Sequence, residues 1–144
     1  MNTTWSHPDP DVRAFLDDFD ERGADPEGGS EQLFAPTFLA ADPSRAVPLT
    51  TAQLAGTLPA RRAMFEAAGV GAVRRQRAQQ LRLDDRHVLV SGTWIADRAG
   101  GALELSSTLL LRSEPDGYRV LVYLNHHDVS ALLTSVLPGS ESTP

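Results

Sequence analysis

The chain contains no cysteine and no lysine. The first absence excludes a disulfide framework, a thiolate nucleophile and any Cys-based zinc site. The second excludes Schiff-base chemistry on a lysine amine. All 13 basic residues are therefore arginine, and isoleucine occurs once, at Ile95, a bias that a genome rich in G and C explains. No apolar run approaches the roughly 20 residues that span a bilayer. The opening MNTTWSHPDPD has neither the basic start nor the apolar core of a secretory signal. These features predict a cytoplasmic protein without membrane contact. A formal charge of −6 argues against a nucleic-acid binder held by phosphate contacts. A Gly-rich phosphate loop, a nucleophile elbow and a His pair at i, i+4 are also missing, so the expected chemistry is cofactor-free or absent.

What is present suits one domain: 144 residues, 41% apolar and 22% charged. Residues 1–8 read as a flexible leader, 9–137 as a single domain and 138–144 as a disordered tail. In DPDVRAFLDDFDERG, Asp9 can cap a helix, Pro10 suits its first position and Gly23 can close it. Val12, Phe15, Leu16 and Phe19 form one apolar stripe along it. A short second helix is expected around Ser30–Phe34, then a short strand in TFLAA closed by DPSRAVP. A third helix starts near Thr50, which forms a capping box with Gln53, and Pro59 should bend or split it.

Beyond Gly71 the period changes from helix to strand. AVRRQRAQQLRL, HVLVSGTWIA, ALELSSTLLLR and YRVLVYLNHH alternate and are separated by turn-rich DDR, DRAGG and SEPDG. They predict a four-stranded antiparallel meander. In its last strand, regular alternation places Val120, Val122 and Leu124 on one face and Leu121 and Tyr123 on the other. DVSALLTSVL then predicts a short C-terminal helix capped by Asp128. The fold class is α+β: three N-terminal helices packed on a curved, mainly antiparallel sheet.

The stretches VRAFLDDFDERG, EQLFAPTFLAADP, LTTAQLAGTLPARRAMFEAAG and STLLLRSEPDGYRVLVYLNHHDV, in that order, resemble the NTF2-like superfamily, and within it the SnoaL-like and related bacterial proteins. The resemblance covers about residues 10–134. It implies a cystatin-like cone with an interior ligand pocket and a homodimer formed through the sheet. It also implies either cofactor-independent isomerase, cyclase or dehydratase chemistry, or binding alone. The paired acids and tyrosine of the isomerases have no counterpart here, nor does the Asp-Arg-Asp set of the epoxide hydrolases.

Chemistry concentrates in NHHD, residues 125–128. Neighbours on a strand point to opposite faces, so Tyr123, Asn125 and His127 share one side and His126 takes the other. Two adjacent histidines are for that reason poor evidence of a metal site, and none is expected. His126 is the candidate general base, a choice the resemblance favours over His127, with Asp128 orienting it and Asn125 polarising a carbonyl. The plainer reading makes Asp128 a helix cap and the histidines the wet end of a strand. Trp94, two residues after Gly92, together with Tyr123, His127 and Arg75, supplies candidate contacts to a small-molecule ligand. The function expected is binding, or proton-transfer chemistry, on a small apolar polyketide-like or aromatic molecule. The alternative is a non-catalytic dimerisation or protein-interaction module whose cone is filled by its own side chains.

Overall fold

A computed structural model describes residues 4–129 and 132–133. In chain order it has helix α1 (Pro10–Ala24), a 3₁₀ turn (Ser30–Leu33), strands β1 (Phe34–Asp42) and β2 (Arg45–Thr50), helix α2 (Thr51–Ala67), and strands β3 (Val70–Arg82), β4 (His87–Arg98), β5 (Leu103–Glu114) and β6 (Gly117–Asn125). The six strands form one curved sheet in the order β2-β1-β6-β5-β4-β3. β1 and β6 run parallel and every other pair is antiparallel.

The α+β class and the mainly antiparallel sheet hold, whereas the helix count does not. Two α-helices stand among the described residues where three N-terminal helices and a C-terminal one are predicted. Gly29, at φ 66°, turns the chain sharply into Ser30, and β1 begins at Phe34, leaving room for a single 3₁₀ turn. At the C-terminal end Leu132 N–H donates to Asp128 C=O at 2.8 Å, one helical turn. The rest of the predicted helix, and the predicted tail, lie outside the described residues. α2 is also not divided: it runs unbroken through Pro59 and starts with the predicted capping box. There Gln53 N–H donates to Thr50 Oγ1 at 3.1 Å and Thr50 N–H to Gln53 Oε1 at 2.9 Å.

The DPSRAVP segment, expected only to close the TFLAA strand, turns the chain into a hairpin. Asp42 Oδ1 accepts from Ser44 N–H, Ser44 Oγ and Arg45 N–H, which fastens the turn and lets Arg45–Thr50 pair back on β1. Pro48 is tolerated because β2 is an edge strand. Ser6, ahead of α1, is also tied down. Ser6 and Gln80 exchange both backbone bonds, at 3.0 and 2.8 Å, on the open edge of β3. Asp9 precedes α1 but makes no cap with its side chain. Instead its carboxylate accepts from Gln80 Nε2 and Arg82 Nη2, which holds it below the usual carboxylate range.

Alternation gives the sheet an inner face toward α1 and an outer face. Val88, Val90, Leu109, Leu111 and Val120 are fully buried on the inner face and pack with Val12, Phe15 and Leu16 of α1 and with Phe34 and Phe38 of β1. A second cluster gathers Ala68, Ala96, Leu103, Val129 and Leu133, with Met64 and Phe65 of α2 against it. In β6 the predicted faces need correction. A register shift opposite Leu110 and Leu111 bulges the strand between Val120 and Val122. The extra residue puts Val120 and Tyr123 on the inner face together, while Val122 and Leu124 turn outward.

Candidate active site and ligand pocket

The two apolar clusters are separated by a band of small and polar residues. Ala78 pairs with Gly92, Gly92 with Ser107, and Ser107 with Asn125. The four lie in one transverse row on the inner face of β3, β4, β5 and β6. Ser107 and Asn125 are buried, and Ser107 Oγ donates to Tyr123 Oη at 3.4 Å. Leucine and valine fill the neighbouring row at Val90 and Leu109. The row thus sets small side chains and hydrogen-bonding groups between two packed clusters.

Trp94 leans over that row. A Cβ on Gly92 would lie 2.7 and 2.8 Å from its indole Cη2 and Cζ3, so the ring rests on the glycine. The indole N–H donates to Asp20 Oδ1 at 2.7 Å, and Arg75 Nη1 donates to Asp20 Oδ2 at 2.6 Å. Arg75 Nη2 donates in turn to Asp17 Oδ1 at 2.7 Å. Burial outweighs these donors and raises the Asp20 carboxyl above its ordinary pKa. Asp20 is thus a partly buried ionisable group on α1, its carboxyl raised by burial and hydrogen-bonded to the ring that covers the row.

Gly92→Ala should push the indole off its seat and lower stability by about 1–3 kcal/mol. Chemical denaturation followed by tryptophan fluorescence measures both effects. An unchanged midpoint and spectrum would show that the ring has freedom the packing denies.

The predicted residues do not all converge. Asn125 and Tyr123 are inner-face residues of the row and its neighbour. His126 is on the outer side, exposed, with Nε2 2.7 Å from Thr108 Oγ1. Since Thr108 pairs with Leu124 and Ser91 on that face, the imidazole and Asn125 are not brought together. His127 N–H donates to Asn125 Oδ1 at 3.0 Å, and its Nε2 is shielded with no partner among the described residues. Asp128 opens the helical turn to Leu132. Trp94 and Arg75 meet at Asp20, a contact that takes up both terminal nitrogens of Arg75 with carboxylates. Among the described residues no group of three or more His, Asp and Glu side chains is placed to hold a metal ion. No helix among them is long and apolar enough to cross a membrane.

No protein-family model matches the sequence, and no curated protein matches it either. Solved structures do match. An NTF-2 like protein of unknown function from Shewanella oneidensis MR-1 is 15% identical over 81% of this chain and 97% of its own, with a TM-score of 0.63. Aln2 from a Streptomyces species is 16% identical over 88% of this chain and 98% of its own, with a TM-score of 0.65. A hypothetical protein with a ketosteroid isomerase-like fold from Catenulispora acidiphila DSM 44928, in complex with trimethylamine, is 15% identical over 96% of this chain and 100% of its own, with a TM-score of 0.56. The fold is NTF2-like.

Within this NTF2-like fold, α1 and the inner sheet face enclose Asp20, Trp94 and the small-residue row, while α2 lies across the side and is joined to both clusters through Leu54 and through Met64 with Phe65. A cleft of about 390 Å³ runs between α2 and residues 25–31, walled by Leu58, Pro59, Arg62, Glu31, Asp25 and Glu66. Sequence reading missed Asp20, Asp17 and Ser107. The signal for Asp20 was available: it lies four residues after Leu16, which puts an acid in line with the buried stripe of α1. Asp17 gives no such signal, because its role depends on Arg75, 58 positions away.

Proposed function

We propose that the protein binds a small, largely apolar organic molecule inside its NTF2-like cone, in the manner of a SnoaL-like protein, as a cytoplasmic homodimer. The observation behind this is the Ala78–Gly92–Ser107–Asn125 row, a band of small and polar residues dividing an otherwise apolar interior. A ligand occupying the row replaces the indole, which must tilt away from Gly92. Asn125 and Tyr123 offer hydrogen bonds to a carbonyl or hydroxyl, and Trp94 offers a flat apolar wall. If turnover follows, it is cofactor-independent proton transfer of the isomerase, cyclase or dehydratase kind. Asp20 is better placed than His126 to handle the proton, because it belongs to the inner side and its carboxyl is already raised. His126 and Asp128 then serve the strand end and the helical turn.

The test is a thermal-shift and fluorescence screen of aromatic and polyketide-like compounds against the native protein and Ser107→Leu, which fills the row. A true ligand at 100 times its Kd should add about 2.7 kcal/mol of stability, and Ser107→Leu should abolish that gain while still folding. Equal shifts in both proteins would place the ligand elsewhere.

A specific observation also favours the dimerisation reading. On the outer face Leu81, Leu89, Leu110, Val122 and Leu39 follow one another across five strands, none of them in the core. Such a continuous apolar row is the surface through which a second copy packs. Leu110→Glu should convert the dimer to monomer in sedimentation. A native protein that sediments as a monomer would remove this reading.

A further inference from the structure

We infer that the cleft between α2 and residues 25–31 is a binding site for a small organic ammonium ion, separate from the interior row. Space is the first reason. At about 390 Å³ the cleft falls within the range of small-molecule sites, and no strand residue lines it. Ala55, Leu58, Pro59, Arg62, Ala63 and Glu66 recur at intervals of three and four, so one stripe of α2 forms a whole wall. No residue of α2 is buried, so packing does not seal this stripe.

Charge is the second reason. Asp25, Glu31 and Glu66 line the cleft, and none of the three forms an ion pair among the described residues. The neighbouring guanidiniums are engaged with backbone oxygens instead. Arg62 Nη2 donates to the Gly23 and Asp25 carbonyls, both at 3.4 Å. Arg22 Nη1 donates to the carbonyls of Gly28 at 3.2 Å and Gly29 at 3.4 Å. Oε2 of Glu31 is shielded from solvent and accepts no hydrogen bond among the described residues. A carboxylate so placed has lost hydration without a protein donor in return, and a cation beside it offsets that loss. The helix adds an acceptor of its own. Pro59 has no N–H to return to the Ala55 carbonyl, and both residues line the cleft.

These acceptors are spread along the cleft. No three acidic or histidine side chains among the described residues could share a metal ion. An extended ligand answers that spread better than a point charge does. An ammonium group supplies several N–H donors for the carboxylates, and an attached hydrocarbon lies on Leu58, Pro59 and Ala63. An anion would meet three like charges.

Benzylammonium chloride and benzyl alcohol are close in shape and differ in charge. Each is titrated at low salt by calorimetry and amide NMR into four proteins: native, Ala63→Phe, the double variant Glu31→Gln with Glu66→Gln, and Ser107→Leu. The native protein should prefer the amine by about tenfold or more, the scale of hydrogen bonds to a charged group. Added salt should shrink that preference, and the amides of Glu31, Leu58 and Arg62 should shift. Ala63 is exposed on the cleft wall, so Ala63→Phe should fold and lose the amine. The double variant keeps the side-chain shapes and should bind amine and alcohol alike. Ser107→Leu should bind as the native protein does. Equal binding of amine and alcohol by the native protein overturns the site, and so does binding of neither. Loss of the amine in Ser107→Leu with retention in Ala63→Phe moves it into the interior row and overturns the site as well.

Discussion

Leu109→Ala lowers the unfolding free energy by about 2–5 kcal/mol in the expected outcome. Leu109 is fully buried within the meander, opposite Val90 on one side and Tyr123 on the other. The Phe15 and Phe34 rings belong to the same cluster and are held by their own neighbours, Tyr118, Phe19 and Phe38. They have little freedom to collapse into the space the leucine leaves. The cost is lost transfer energy plus the cavity, which places it toward the upper part of that range. Urea denaturation gives the value directly. The control is the adjacent Leu110→Ala, on the outer face, which should cost the isolated protomer less than about 1 kcal/mol. Equal losses at the two positions would mean that the inner and outer faces are not distinguished as described.

The second large effect concerns charge. Arg75→Met removes the cation shared by Asp17 and Asp20 and leaves the Trp94 indole to hold Asp20 without it. The Arg75 and Asp20 side chains are 19% and 27% exposed, so the loss is smaller than for a fully buried pair: about 1–3 kcal/mol at neutral pH. Its pH dependence is the sharper test. Burial raises the folded-state pKa of Asp20, so from about pH 4, where the unfolded chain loses its proton, up to that raised value the folded state still holds one. The Asp20 contribution therefore makes the protein less stable as pH rises through this window, and the penalty is complete above it. Without the Arg75 charge the Asp20 carboxyl rises further. The deficit of Arg75→Met should then shrink from pH 7 toward pH 4, and the carboxyl carbon of Asp20 should titrate at higher pH by NMR. A deficit that is constant with pH would assign Arg75 a packing role through its aliphatic stem.

The sequence made some of this legible and concealed the rest for identifiable reasons. The stripe of α1 and the capping box of α2 are local, so a spacing of three or four residues was enough to read them. The β1–β2 hairpin was hidden because DPS and Pro48 look like loop signals, and only the Asp42 side chain turns them into a hairpin. In β6, alternation separates His126 from Asn125 correctly. It cannot show which of them faces inward, because both faces of that strand are apolar and a bulge changes the register within it. The Trp94–Asp20–Arg75 contact joins positions 55 to 74 residues apart and has no local signature.

The parallel pairing of β1 with β6 also fixes an order of events. Phe34 is opposite Val120, so this seam closes a loop of most of the chain, whereas β3 to β6 are joined by short turns. Closing long loops costs more conformational entropy than closing short ones, and non-local pairings slow folding. On a ribosome the β1–β2 hairpin emerges early with its partner strand still unmade. It has to wait, with Phe34 and Phe38 uncovered, until the strand ending at Asn125 has been synthesised. Until then the nascent chain presents an unsatisfied strand edge, and the interval before β6 emerges is when it is most open to capture by a chaperone or to mispairing with another copy.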